Sequence, residues 1–186
     1  MAPGSRPFVC EGSPYAQQAF IIGINATVGV GDFWDYWDDS YGMLKSTKFM
    51  PTYLKEKGEK ISPTRKRIET LVSPNVRCLE TNLYLQPTRR AKMLTDKSTE
   101  CIRFLLLHVR PKVLLIHGKP PAQYVFERHC SVATTANWEE CNTQFTTVRA
   151  DWGEVAIRTV RHLWLPYWNS ERFQALQHQF WSQLNI

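Results

Sequence analysis

The 186-residue chain has no apolar run approaching the ~20 residues that a membrane-spanning helix needs. It has no C-x-x-C pair either. Its five cysteines, Cys10, Cys78, Cys101, Cys130 and Cys141, lie far apart, and even the tightest spacing, Cys130 to Cys141, is too loose for a zinc or iron–sulfur ligand pair. No structural metal and no cofactor are expected. The stretch Met1–Pro7 lacks the apolar core of a signal peptide. With the odd cysteine count, this leads to the expectation of reduced thiols in an intracellular protein, cytoplasmic or, in a eukaryote, nuclear. Phosphate-loop signatures are missing as well: Gly23, Gly29 and Gly31 fit neither G-x-G-x-x-G nor the P-loop pattern, and no Lys-Ser/Thr follows them. There is no internal repeat or low-complexity tract.

What is present suits one folded domain. A hydrophobic content of 43% with 12% aromatics is enough to offset the entropy of ordering, which excludes a disordered chain. The length matches a single domain over residues 1–186. Twenty-three Lys plus Arg against 17 Asp plus Glu give a net charge of +6, which permits an anionic partner without requiring one.

Four short apolar runs read as buried strands: Ala19–Ile24, Arg77–Asn82, Val113–His117 and Val155–Val160. Helical patterns lie between them. Asp32–Gly58 has mixed three- and four-residue apolar spacing interrupted by Pro51. Pro63–Val72 starts behind Ser62 as N-cap. Asp96–Val109 carries Ile102, Leu105, Leu106 and Val109 on one stripe, with Asp96 as a cap. A short helix runs from Pro120 to Arg128, and Ser170–Leu184 closes the chain, while Ser131–Trp152 reads as a long loop or irregular hairpin. Alternating strands and helices predict an α/β fold, a three-layer α/β/α sandwich with a four-stranded, mostly parallel sheet.

Open parallel sheets bind ligands beyond the carboxyl ends of their strands. Each strand here is followed by polar groups that the strand pattern does not require: Asn25 after the first, Asn82 and then Thr88, Arg89 and Arg90 after the second, His117 with Lys119 after the third, and His162 after the fourth. Each has a bland reading. Asn25 can serve a turn, the arginine pair a solvated basic loop, and His162 a satisfied structural histidine. A carboxamide at a strand end also presents a donor and an acceptor to a base edge. The apolar cluster Leu163, Trp164, Leu165, Tyr167, Trp168 fits core packing, or a wedge inserted into a base stack.

The order of these signals resembles the uracil-DNA glycosylase superfamily. Gly23-Ile24-Asn25 is similar to its first motif, G-x-[N/D/E]-P, and most of all to the G-I-N-P-G of the mismatch-specific and thymine-DNA glycosylase branch. His162 stands where the last motif, H-P-S, has its histidine. Thr81-Asn82 with Pro87 and Arg89 resembles the T-N-x-x-K-x-x-P-x-x-R stretch of other branches. The likeness covers about residues 15–175. Ala26 replaces the usual proline and Leu163-Trp164 the usual Pro-Ser, which marks a divergent branch. The cysteines do not match the iron–sulfur branches.

The resemblance implies a metal-free DNA glycosylase of base excision repair, a monomer acting on DNA that carries a damaged or mismatched, flipped-out base. Asn25 and His162 would be catalytic, the one positioning water and the other donating to the base. Ile24, Ala26, Thr27, Phe33 and Asn82 would bind the base: Asn82 reads its Watson–Crick edge, and Phe33 stacks on it, with Trp34 or Tyr84 as substitutes. Thr27, where the strictest uracil-specific enzymes carry tyrosine, implies a roomier pocket. Arg89, Arg90, Lys119 and Arg161 would meet phosphates, and Leu163 and Trp164 would supply the wedge. Two other classes compete: a non-catalytic nucleic-acid-binding or interaction module that keeps the fold, and a nucleotide-binding or hydrolytic α/β enzyme.

Overall fold

The computed structural model describes residues 5–26, 31–72, 76–88, 91–131 and 140–185. Its main sheet has five strands in the order β5-β2-β6-β8-β7: β2 (Ala19–Gly23), β5 (Cys78–Asn82), β6 (Val113–His117), β7 (Thr146–Ala150) and β8 (Gly153–Val160). The first four listed in spatial order are parallel, and they are the four strands that the apolar runs predict. The edge strand β7 runs antiparallel to β8 and adds a fifth. It lies in the stretch read as a loop or irregular hairpin, because only Val148 and Ala150 of its five residues are buried, too brief an alternation to stand out.

Helices cover both faces, which makes the three-layer sandwich. The side-chain period of two divides each strand between two cores. Ala19, Ile21, Val113 and Leu115 pack with Ile68 and Leu71 of α2 (Pro63–Leu71) and Leu176 and Phe180 of α5 (Ser170–Ser182). Phe20, Ile22, Leu114 and Ile116 pack with Ile102, Leu105 and Leu106 of α3 (Glu100–Val109) and Val125 of α4 (Lys119–His129).

Local signals account for several helix ends. Ser62 accepts the Arg65 amide at 3.2 Å with Pro63 in the first turn, as its pattern predicts. Helix α3 begins later than expected: Asp96 accepts the Ser98 amide at 2.8 Å in a local turn instead of capping the helix.

The segment Asp32–Gly58 is a larger departure. Rather than one interrupted helix, it forms a 3-10 turn (Phe33–Tyr36), a hairpin of β3 (Trp37–Asp38) and β4 (Gly42–Leu44), a π turn (Lys45–Phe49) and helix α1 (Met50–Glu56). Strand β4 pairs with β1 (Glu11–Gly12) in a small three-stranded sheet, and this long-range pairing overrides the helical spacing. The crossing is so close that a Cβ on Gly42, whose φ is +101°, would stand 2.5 Å from the Gly12 backbone. Pro51 starts α1 rather than breaking it, since a first-turn proline gives up no helical hydrogen bond. Among the described residues no helix is long and apolar enough to cross a membrane.

Candidate functional site

The chain leaves β2 toward β5 on one side, while β6 and β8 lie on the other. Connections therefore diverge beside the ends of β2 and β6, the place where open α/β sheets form a crevice. Register sets the row of residues there. Gly23 is paired with Asn82, Ile22 with Ile116, and His117 with Val160. Asn25 and His162 each lie two residues beyond this row, past the ends of β2 and β8 respectively.

A cleft of about 620 Å³ opens above the row, lined by Asn25, Asn82, His117, His162 and Trp164 among others. Gly23 makes room for two of these side chains. A Cβ there would lie 2.8 Å from the Asn82 Oδ1 and 2.8 Å from the His117 ring, so any side chain would displace one of them. The three polar groups that the strand ends single out, Asn25, Asn82 and His162, thus face one hollow.

The hydrogen bonds of Asn25 orient it. Its Nδ2 donates to the Ala26 carbonyl at 3.0 Å, the Thr88 carbonyl at 3.0 Å and the Thr88 Oγ1 at 2.9 Å. With the amide nitrogen held, Oδ1 is the acceptor left for the cleft. The Thr88 amide also donates to the Ala26 carbonyl at 2.9 Å, tying the loop after β5 to the loop after β2. The Asn82 carboxamide makes no side-chain hydrogen bond to another described residue, so its donors and acceptor are both open to a ligand.

The histidines form a pair, ring centroids 4.7 Å apart at 87°. Burial, and secondarily His162 alongside, holds His117 down at about 3, against a small opposing effect of Glu80. Burial lowers His162 as well. Both rings are neutral at neutral pH. The Trp164 amide donates to the His162 Nδ1 at 3.4 Å, which puts the proton on Nε2 and makes that atom a donor. The buried His117 Nδ1 has no partner among the described residues.

The loop carrying His162 is clamped from α2. The Arg67 guanidinium donates to the carbonyls of Leu163, Leu165 at 3.3 Å and Trp168 at 2.8 Å. Leu163 is fully buried in the α2/α5 core, so it is not a wedge residue: an anchored side chain cannot leave its core to enter a base stack. Trp164 is 57% exposed at the cleft edge and keeps that option.

The remaining sequence-derived candidates divide. Ile24 and Ala26 line the cleft. Phe33 does not. It is buried among aromatics, 5.1 Å from Phe8 and 5.2 Å from Trp34, because a short turn capped by Asp32 points it into the core. Trp34 and Tyr84 are also away from the lining, and the aromatic ring on the cleft wall besides Trp164 is Tyr53 of α1. Lys119 and Arg161 are exposed beside the strand ends but outside the cleft, Arg161 lying 4.7 Å over the Tyr167 ring. Thr27, Arg89 and Arg90 lie outside the described residues.

The cleft also contains groups given no role by the sequence reading: His117, Thr88, Tyr53 and a cluster of charges on its floor. Glu80 of β5 meets Arg65 of α2 and, at 3.8 Å, Lys45, while Glu69 binds both cations at 3.0 Å. Burial pushes the Glu80 carboxyl up, but Arg65, Lys45 and Arg6 together outweigh it and hold it below its ordinary value. A carboxylate inside an apolar strand run was the available signal for this cluster, since such a charge needs a buried partner. Among the described residues no group of His, Cys, Asp and Glu could hold a metal ion. Neither a scan against protein-family models nor a search of curated proteins found a match to this chain.

Proposed function

We propose that the protein is a DNA glycosylase that hydrolyses the N-glycosidic bond of a flipped-out uracil-like or otherwise deaminated or mismatched base. The observation that carries this reading is the convergence of Asn25, Asn82 and His162 on one cleft at the switch point of the sheet. A duplex offers its base only after extrusion, which costs a few kcal/mol that contacts to the backbone and a wedge must offset. Trp164 at the rim suits that wedge, and Arg161 and Lys119 suit flanking phosphates.

In the cleft, the open amide of Asn82 reads the Watson–Crick edge of the base. The neutral His162 donates its Nε2–H to the base O2. When the bond from C1′ to the base breaks, its electron pair passes into the ring and onto O2, where that donor stabilises it. Preorganised donors of this kind contribute about 3–4 kcal/mol. Water bound to the Asn25 Oδ1 adds to C1′, and its released proton neutralises the departing base. The amide is too weak a base to ionise water, but orientation suffices against a sugar that already resembles an oxocarbenium ion.

The test is base release from duplexes bearing uracil, hypoxanthine, xanthine or mismatched thymine, read as strand breaks at the resulting abasic sites. The parent is expected to act on at least one of them. Asn25→Ala and His162→Ala are each expected to lose roughly 100-fold or more while melting cooperatively. A parent that binds these duplexes and releases nothing would indicate a binding module that keeps the fold without the reaction.

A further inference from the structure

The cleft is larger than a base requires: about 620 Å³ falls within the roughly 300–1,000 Å³ that holds a whole small-molecule ligand. Its two ends differ in chemistry. One carries the amides and imidazoles. The other is cationic, with Arg6 and Arg65 on the wall and Lys57 and Lys60 toward the rim.

Charge on that floor does not balance. Among the described residues, the carboxylates beside Arg6, Lys45 and Arg65 are Glu69 and Glu80, and both are engaged by Lys45 and Arg65. Arg6 has no carboxylate within ion-pair distance among the described residues. Its guanidinium lies 5.2 Å over the Phe49 ring. Burial, then repulsion from Arg65, lowers it to about 10, which leaves it a cation at neutral pH. Lys57 and Lys60 make no ion pair with described residues, and α2 directs its N-terminal end, Ser62 to Thr64, at the same wall. A half-buried guanidinium with spare donors is a binding group for an oxyanion.

We propose that this end of the cleft is an anion subsite that takes the phosphoryl group of a nucleotide whose base lies at Asn82. Spacing supports the pairing. Glu80 and Asn82 lie two residues apart on one face of β5, about 7 Å along the strand. Glu80, whose charge acts on Arg6, thus stands a span comparable to a nucleotide's base-to-phosphate separation from the strand position of the base-reading amide. Only the base end rests on the glycosylase reading. The phosphoryl group has two possible sources, a free mononucleotide or the terminal phosphate of a strand.

Calorimetric titration with deoxyuridine 5′-monophosphate, deoxyuridine and inorganic phosphate at low salt tests the subsite. The monophosphate is expected to bind about tenfold tighter than the nucleoside or better, with inorganic phosphate competing. Arg6→Gln should bring that preference toward unity without changing nucleoside affinity, and Arg6→Lys should retain most of it. Should Arg6→Gln fail to fold, the double variant Lys57→Gln with Lys60→Gln is read instead, and it should lose at least about threefold of the preference. No preference in the parent, or a preference unchanged by these substitutions, overturns the proposal. Single strands with and without a 5′-phosphate distinguish the sources: a gain confined to the free monophosphate assigns a mononucleotide, and an equal gain on the strand assigns a terminus. The outcome is independent of base release. A protein that releases bases without preferring phosphate loses the subsite alone, and one that prefers phosphate without releasing bases loses the glycosylase reading alone.

Discussion

Replacing Glu80 by glutamine removes one negative charge from the middle of the buried cluster and changes little else. In the parent, that carboxylate touches Arg65 and Lys45 and lies close enough to Arg6 to affect it. In the variant, Glu69 is the carboxylate left to Lys45 and Arg65 among the described residues, and its side chain is 30% exposed, so solvent screens it. Removing one partner of a buried ion pair commonly costs about 3–5 kcal/mol, because the stranded charge keeps its desolvation penalty. For a chain of this length, about 1 kcal/mol moves Tm by ~2–4 °C, so a fall of roughly 6–20 °C is expected. Urea unfolding at pH 7 followed by circular dichroism gives the free energy directly. The pH dependence gives a second reading. A carboxyl held below its ordinary value of 4.5 contributes stability that is fully present above that value. It is lost as pH falls through the lower, folded value. The gap between parent and variant should therefore stay constant from pH 7 to about 5 and close only in stronger acid. A variant within about 1 kcal/mol of the parent at pH 7 would refute the account of the floor as a charge cluster held by Glu80.

His117 should leave its mark on the acid limb of stability: its folded value of about 3 lies below the ordinary 6.5, so the unfolded chain binds the proton first and stability falls as pH drops between the two. The full loss across that window is roughly 5 kcal/mol, and His117→Gln should flatten the slope in a pH series of urea melts. Leu163→Ala should cost about 2–5 kcal/mol in the same melts, as expected for a fully buried leucine. Trp164→Ala should leave the melt nearly unchanged and weaken duplex binding; a stable Leu163→Ala would remove the anchoring role given to it here. Thr88→Val deletes the 2.9 Å bond to Asn25 and should slow base release about 3–10-fold through kcat rather than KM, with Thr88→Ser restoring it.

Much of the fold and part of the cleft can be read from the residues in order. Four apolar runs without alternation dictate strands buried on both faces, and helical stripes between them dictate a parallel sheet with two covering layers. Once the sheet is parallel, polar residues just past each strand must gather along one edge, which is why Asn25, Asn82 and His162 could be picked out without coordinates. The chain could not reveal which of two adjacent residues in Leu163-Trp164 is anchored, because that depends on where Arg67 of a distant helix holds the loop. Nor could it reveal that Phe33 turns into the core, that Asp32–Gly58 pairs with Glu11–Gly12, or that Thr88 pins Asn25 across 63 positions. Local propensity acts over a few residues and settles strands, caps and helix stripes. The cluster of Arg6, Lys45, Arg65, Glu69 and Glu80 exists only because folding brings separate segments into a medium where charges cannot rely on water, so tertiary structure alone decided the cationic end of the cleft.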